Sequence, residues 1–235
     1  MRKLAIASCL LALFAQPGLV QQPVAPLDLY DVSPVGPLAD GRIVVPTNQV
    51  LAPAGTQIEF ANRPNDGALS PDGRTLAVLN MSEVLFIDLE TATITQRVST
   101  DRLSYAGLAF LPDGKAVVAS GAASDLLFIS LEGGAAPAVD KLRVPCSVKG
   151  DSVPCGMALS PDGASLYVAM SRNDAVAEID PVRRELVRQV SVGKAPYGVA
   201  LAAGKIYVTN WGGTIPREGD VTGPAGDDSG EVVVD

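Results

Sequence analysis

A four-residue phrase returns along the chain at a steady beat: Ser70-Pro71-Asp72-Gly73, Leu111-Pro112-Asp113-Gly114 and Ser160-Pro161-Asp162-Gly163, with a shortened copy at Ala202-Ala203-Gly204-Lys205. Successive copies begin 41, 49 and 42 residues apart. A period of that size predicts an array of like units rather than one irregular domain. The phrase is itself a turn. Proline presets φ, aspartate bonds to the backbone ahead of it, and glycine accepts φ > 0.

Aligned on that turn, the units share their strands. Before it stand Gly67-Ala68-Leu69, Leu108-Ala109-Phe110, Met157-Ala158-Leu159 and Val199-Ala200-Leu201. The central alanine (Ala68, Ala109, Ala158, Ala200) is the residue expected where strands crowd around an axis. After the turn come Leu76-Ala77-Val78-Leu79, Val117-Val118-Ala119, Leu166-Tyr167-Val168-Ala169 and Ile206-Tyr207-Val208-Thr209. Third strands read as Val84 to Asp88, Leu126 to Ser130 and Ala175 to Asp180. More polar fourth strands follow, as at Thr93 to Val98 and Leu186 to Val190. Four short strands per unit of about 40–45 residues, apolar inside and polar outside, predict an all-β chain built as a β-propeller of four-stranded blades. A β-sandwich of short strands would not repeat an alanine column and a turn in step.

Gly198-Val199-Ala200-Leu201 followed by Lys205-Ile206-Tyr207-Val208-Thr209-Asn210 resembles the repeat unit of the YVTN-type β-propellers, with Tyr207 to Asn210 spelling that family's motif. The stretch from Pro154 to Gly193 is similar to it, with Tyr167-Val168-Ala169-Met170 at the corresponding place. The resemblance covers about residues 43–235. It implies the fold and not a reaction, because related propellers serve as ligand binders, lactonases, surface-layer proteins and appended domains. The run Tyr207-Val208-Thr209-Asn210-Trp211-Gly212 and the long loop after it also resemble bacterial proteins in which a YVTN-type propeller precedes a phosphoesterase domain of the alkaline-phosphatase superfamily.

Three segments are expected. Arg2 and Lys3 ahead of the apolar run Leu4 to Ala15 read as a secretory signal peptide over residues 1–20, cleaved between 15 and 25. The run is too short for a bilayer, which needs about 20 residues, so no membrane span is expected in the mature, exported chain, which would be periplasmic or extracellular. Residues 21–41, with a proline-rich tract from Pro23 to Pro37, read as a linker. Residues 42–235 hold the repeats. They accommodate four to five blades, whereas Arg42 to Val45 and Thr56 to Phe60 read as outer strands with no inner strands before them. The chain is therefore expected to be part of a longer protein, a piece of a seven-bladed ring.

Cys146 and Cys155 flank the insertion that lengthens the second unit. In an oxidising compartment this spacing predicts a loop-closing disulfide, with a redox-active or metal-binding pair as the alternative. Composition excludes much else. With no histidine, the chain cannot form a Ser-His-Asp or Cys-His arrangement, a histidine-ligated haem or the common zinc sites. Net charge is −8 and becomes about −10 without Arg2 and Lys3, which works against a grip on nucleic acid. Beyond the signal, Arg183-Arg184 is the only basic doublet and reads as a solvated turn. Asp220, Asp227, Asp228 and Glu231 lack the alternating spacing of a calcium loop. No cofactor and no metal site is expected.

In a propeller the loops joining second to third strands, and those joining one blade to the next, gather on one face, called upper here. The Pro-Asp-Gly turns lie on the other. The upper loops carry the candidate ligand-binding residues Asn80, Tyr105, Arg172, Asn173, Tyr197, Asn210, Trp211 and Arg217, with Asn65 beside them. Trp211, the only tryptophan, offers an aromatic plate near cations. Two readings follow. One is an extracytoplasmic binding or scaffold module, meeting an unknown ligand or an adjacent domain at its upper face, with any phosphoesterase activity in a domain downstream. The other is a lactonase-type hydrolase, which needs paired carboxylates that do not recur across the units.

Overall fold

The computed structural model describes residues 34–132, 137–147, 150–225 and 230–234. The expected signal peptide, most of the proline-rich tract, Asp227 and Asp228 lie outside them. Within the first of two compact units, which ends at Gly55, the strands β1 (Gly36–Pro37), β2 (Ile43–Val44) and β3 (Val50–Leu51) form a small antiparallel meander. One expectation is corrected there: Ile43 and Val44 sit at the centre of this meander rather than on an outer blade strand.

The second unit, Thr56 onward, carries the repeats. Its first sheet is β4 (Pro64–Leu69), β5 (Thr75–Asn80), β6 (Glu83–Asp88) and β7 (Thr93–Ser99). The second is β8 (Leu103–Phe110), β9 (Ala116–Gly121), β10 (Asp125–Ser130) and β11 (Val139–Arg143). The third is β12 (Pro154–Leu159), β13 (Leu166–Met170), β14 (Ala175–Asp180) and β15 (Glu185–Ser191). Each is an antiparallel meander in chain order. A fourth sheet has two described strands, β16 (Pro196–Ala202) and β17 (Lys205–Asn210), and β18 (Thr222–Pro224) pairs with β19 (Glu231–Val233) in a separate hairpin. The first strands pack side by side, β4 on β8, β8 on β12 and β12 on β16. The alanine column therefore lies on the innermost strands, as the repeat predicts.

Strand periodicity explains how the sheets stack. Side chains alternate between faces, and here both faces are apolar. Ala77, Leu79, Val84 and Phe86 of the first sheet meet Leu108, Phe110, Val117 and Ile129 of the second. On the second sheet's other face, Val118, Leu126 and Phe128 meet Leu166, Val168, Met170 and Ile179 of the third. Each large side chain fully buried this way contributes about 1.5–3 kcal/mol over leaving it exposed. The first sheet's remaining face, with Val78, Leu85 and Ile87, is covered by Ile58 and Phe60. These belong to the 56–60 segment, which was expected as a strand. It forms no strand and instead lays two apolar side chains on a sheet face.

Every inner strand breaks register near its upper end, between Pro64 and Asp66, Leu103 and Leu108, Pro154 and Met157, and Pro196 and Gly198. A bulge of this kind bends the strand away from its partner. Glycine then lets the next inner strand approach. A Cβ at Gly107 would lie 2.1 Å from the Cys155 carbonyl oxygen, and one at Gly156 would lie 2.6 Å from that of Tyr197.

Candidate functional site

The bulges deliver Tyr105, Cys155 and Tyr197 to one place. With Arg172, Trp211 and Gly212 they line a cavity of about 580 Å³, to which Val153, Ala195 and Val232 add apolar surface. Tyr197 and Trp211 stack, with ring centroids 4.3 Å apart and planes 11° from parallel. Trp211 nevertheless keeps 75% of its surface exposed, so a broad aromatic face remains open to solvent.

That stack is set from the backbone. The Trp211 amide donates to the Ala195 carbonyl (3.0 Å), and the Gly212 amide to that of Lys194 (3.1 Å). Asp174 fixes the connector on its far side. It accepts from the Ala195 amide (2.9 Å) and pairs with the buried Lys194 ammonium (2.5 Å). The loop after β13 thereby locks the entry to β16, and β16 in turn positions the aromatic pair.

Cys155 forms part of the cavity wall. Its thiol lies 3.7 Å from the Ser104 hydroxyl, and burial holds its pKa above the usual thiol value, an effect the Ser104 bond only partly opposes. The Tyr197 phenol is likewise raised, first by burial and then by Cys155, Asp66 and Tyr105. Both groups stay neutral at neutral pH. Asp66 is already engaged, accepting from the amides of Gly67 (2.8 Å) and Gly107 (2.7 Å). A neighbouring cavity of about 250 Å³, lined by Arg63, Asn65, Arg102 and Ser104, shares Tyr105 and Val153 with the first. The Arg63 guanidinium lies over the Tyr105 ring, 5.7 Å from its centre.

The expected disulfide is not formed. Cys146 and Cys155 are both free thiols. The Cys146 thiol donates to the Asp151 carbonyl inside its own loop (3.3 Å), whereas Cys155 belongs to an inner strand and turns toward Ser104. Hydrogen bonds hold the insertion instead. The Ser152 hydroxyl donates to the Val144 carbonyl (2.8 Å), and the Ser152 amide to the Ser124 hydroxyl (3.1 Å).

Of the candidate residues, Tyr105, Arg172, Tyr197 and Trp211 share the large cavity and Asn65 lines the smaller one. The others stand apart. Asn80 is buried and donates to the Ala61 carbonyl and to Glu83, both at 2.9 Å. Asn173 ties β15 to the insertion, donating to Gln189 (2.8 Å) and to the Pro145 carbonyl (2.9 Å). Asn210 has a buried side-chain oxygen without a partner, against Gly193. Arg217 turns its amide to Asp220 (2.7 Å), away from both cavities. Asp220 and Glu231 do not gather, and no trio of acidic or sulfur ligands forms among the described residues. Sequence reasoning missed Cys155 as a lining residue. Its signal is the parallel between Pro154-Cys155-Gly156 and Pro196-Tyr197-Gly198, which put Cys155 and Tyr197 at one repeat position.

No family model and no curated protein matches the chain. Solved structures do. Hydrazine synthase of Kuenenia stuttgartiensis is 28% identical over 63% of this chain and 42% of its own, with a TM-score of 0.52. The β-propeller domain of Myceliophteria thermophila Cps50 (Swd1) is 15% identical over 75% of this chain and 58% of its own, with a TM-score of 0.57. The chain is a β-propeller. The WD40 repeats of RRP9 agree, with a TM-score of 0.51 at 10% identity over 60% of this chain and 43% of theirs. The propeller thus spans about half the length of the structures it matches, and at 10–15% identity the last two speak to fold alone.

Proposed function

We propose that this propeller is an extracytoplasmic binding module that receives a small ligand in the upper-face cavity between Tyr105, Arg172, Tyr197 and Trp211. The observation that carries the reading is the Tyr197–Trp211 stack at the rim of a 580 Å³ hollow. A large indole left 75% exposed on a rigidly clipped backbone is a recognition surface built before its ligand arrives. Among the described residues the lining is mostly apolar and aromatic with one guanidinium, which suits capture of a small molecule.

Export rests on the signal-like start of the sequence, Arg2 and Lys3 ahead of the apolar run Leu4 to Ala15. A phosphoesterase domain downstream is the arrangement that the YVTN-type resemblance implies, and in it the propeller serves as the binding part.

Calorimetric titration with 2-naphthamide, a flat neutral probe, tests the cavity. Saturable binding is expected, weakened about 2- to 13-fold by Tyr197→Ala, which removes a stacking contribution of about 0.5–1.5 kcal/mol. Heats that never saturate overturn the proposal, as does binding indifferent to both Tyr197→Ala and Trp211→Ala.

A further inference from the structure

We infer that the ligand of this cavity is a planar anion, an aromatic or conjugated molecule bearing a carboxylate that Arg172 receives; the inference rests on the cavity being the binding site. Among the described residues Arg172 is the only formally charged one in its lining. No carboxylate among the described residues lies within ion-pair distance of it, although Arg97, Arg143, Arg188 and Lys194 each have one. Its Nε is buried with no hydrogen-bond partner. Leaving a buried donor unsatisfied is unfavourable, and more so when it belongs to a charged group. In the adjoining cavity Arg63 and Arg102 also lack an acidic partner among the described residues.

This is unusual for a chain of net charge −8, in which acidic residues outnumber basic ones. Around the two cavities the balance is reversed. Asp66 accepts from two main-chain amides and lines neither cavity. A guanidinium facing an apolar hollow beside an open aromatic plate selects for two features joined in one molecule. A flat ring covers Trp211, and an anionic group reaches the guanidinium, whose fork-like donors suit a carboxylate. The hollow, at 580 Å³, has the size of an ordinary small-molecule site.

The test compares 2-naphthoate with 2-naphthamide, which match in shape and differ in charge, by calorimetry on the full chain. The expected result is naphthoate binding at least about 10-fold tighter, as a charge-assisted hydrogen bond gives, with the advantage shrinking as salt rises. Arg172→Gln should abolish the preference of naphthoate over naphthamide, whatever it does to the affinity they share, and Arg172→Lys should retain part of it. A cooperative thermal melt near the wild-type Tm shows that each variant is folded. Equal affinities in the wild type, or a preference that survives Arg172→Gln, overturn the anion inference and leave the binding site standing. Saturable binding of neither probe overturns both.

Discussion

Asp72 and Asp162 hold their turns by the same pair of bonds. Each accepts a 2.6 Å hydrogen bond from the serine two residues earlier and a 3.1 Å bond from the amide two residues later. The serine hydroxyl, itself accepting from the amide that starts the next strand, closes the loop. Chiefly through that hydroxyl, and secondly through the amide, both carboxyls are held below the usual aspartate pKa of 3.8. A depressed folded-state pKa gives stability that is present above the unfolded value and lost as pH falls through the folded one. Asp72→Asn with Asp162→Asn should therefore lower Tm at pH 7, and the gap from wild type should close as pH drops below about 3.8. Thermal melts from pH 7 to pH 2 check this; a gap that persists at pH 2 refutes the assignment. These turns were fully legible in the sequence, since their chemistry is local. The cysteines were not. Spacing gives the size of a possible ring, but where each thiol points depends on which residue the inner strand turns outward, and Cys155 turns to Ser104.

At the scale of the strand, the inner-strand bulge links packing to the site. Gly107 has φ of +107°, and a Cβ there would meet the Cys155 carbonyl at 2.1 Å and the Ser120 hydroxyl at 2.3 Å. That hydroxyl donates to the same carbonyl (2.7 Å), so the three groups form one contact between adjacent blades. Gly107→Ala combines backbone strain and overpacking, each roughly 1–3 kcal/mol. Gly73→Ala, at φ of +72° with open space around it, keeps only the strain. Urea unfolding should rank the first variant well below the second, and near-equal losses would show that the interblade approach does not matter. The alanine column was readable because it recurs in all four units, and the strand rhythm because three of them repeat it. The bulge was hidden, because Pro-x-Gly marks it in only two units, while Pro64-Asn65-Asp66 and Tyr105-Ala106-Gly107 stand in its place in the others.

For the whole repeat array, stability comes from the two interblade cores, and exposure begins where they end. Between the third and fourth sheets a shallow hollow of about 170 Å³ remains, bordered by Val176, Val190, Ile206 and Val208. Beyond it, Tyr207 is 52% exposed on β17, which has one partner strand among the described residues. A free strand edge beside an exposed aromatic invites pairing with another chain, and lysine placed there discourages it. Tyr207→Lys should leave Tm within about 1 °C, as surface changes usually do, and reduce self-association several-fold in sedimentation velocity. Unaltered association would locate the contact elsewhere. The sequence announced the repeat but not its two unlike ends, because the covering of the first sheet by Ile58 and Phe60 depends on a segment with no strand pattern of its own.

That covering gives the stack a direction. A head-to-tail fibre needs two complementary free faces on every molecule, whereas a two-fold pair needs only one that matches itself. Here Ile58 and Phe60 already occupy the face at the first sheet, so that face offers no free surface to another copy. Copies therefore cannot add head to tail through it, and contact between blade faces goes no further than a pair.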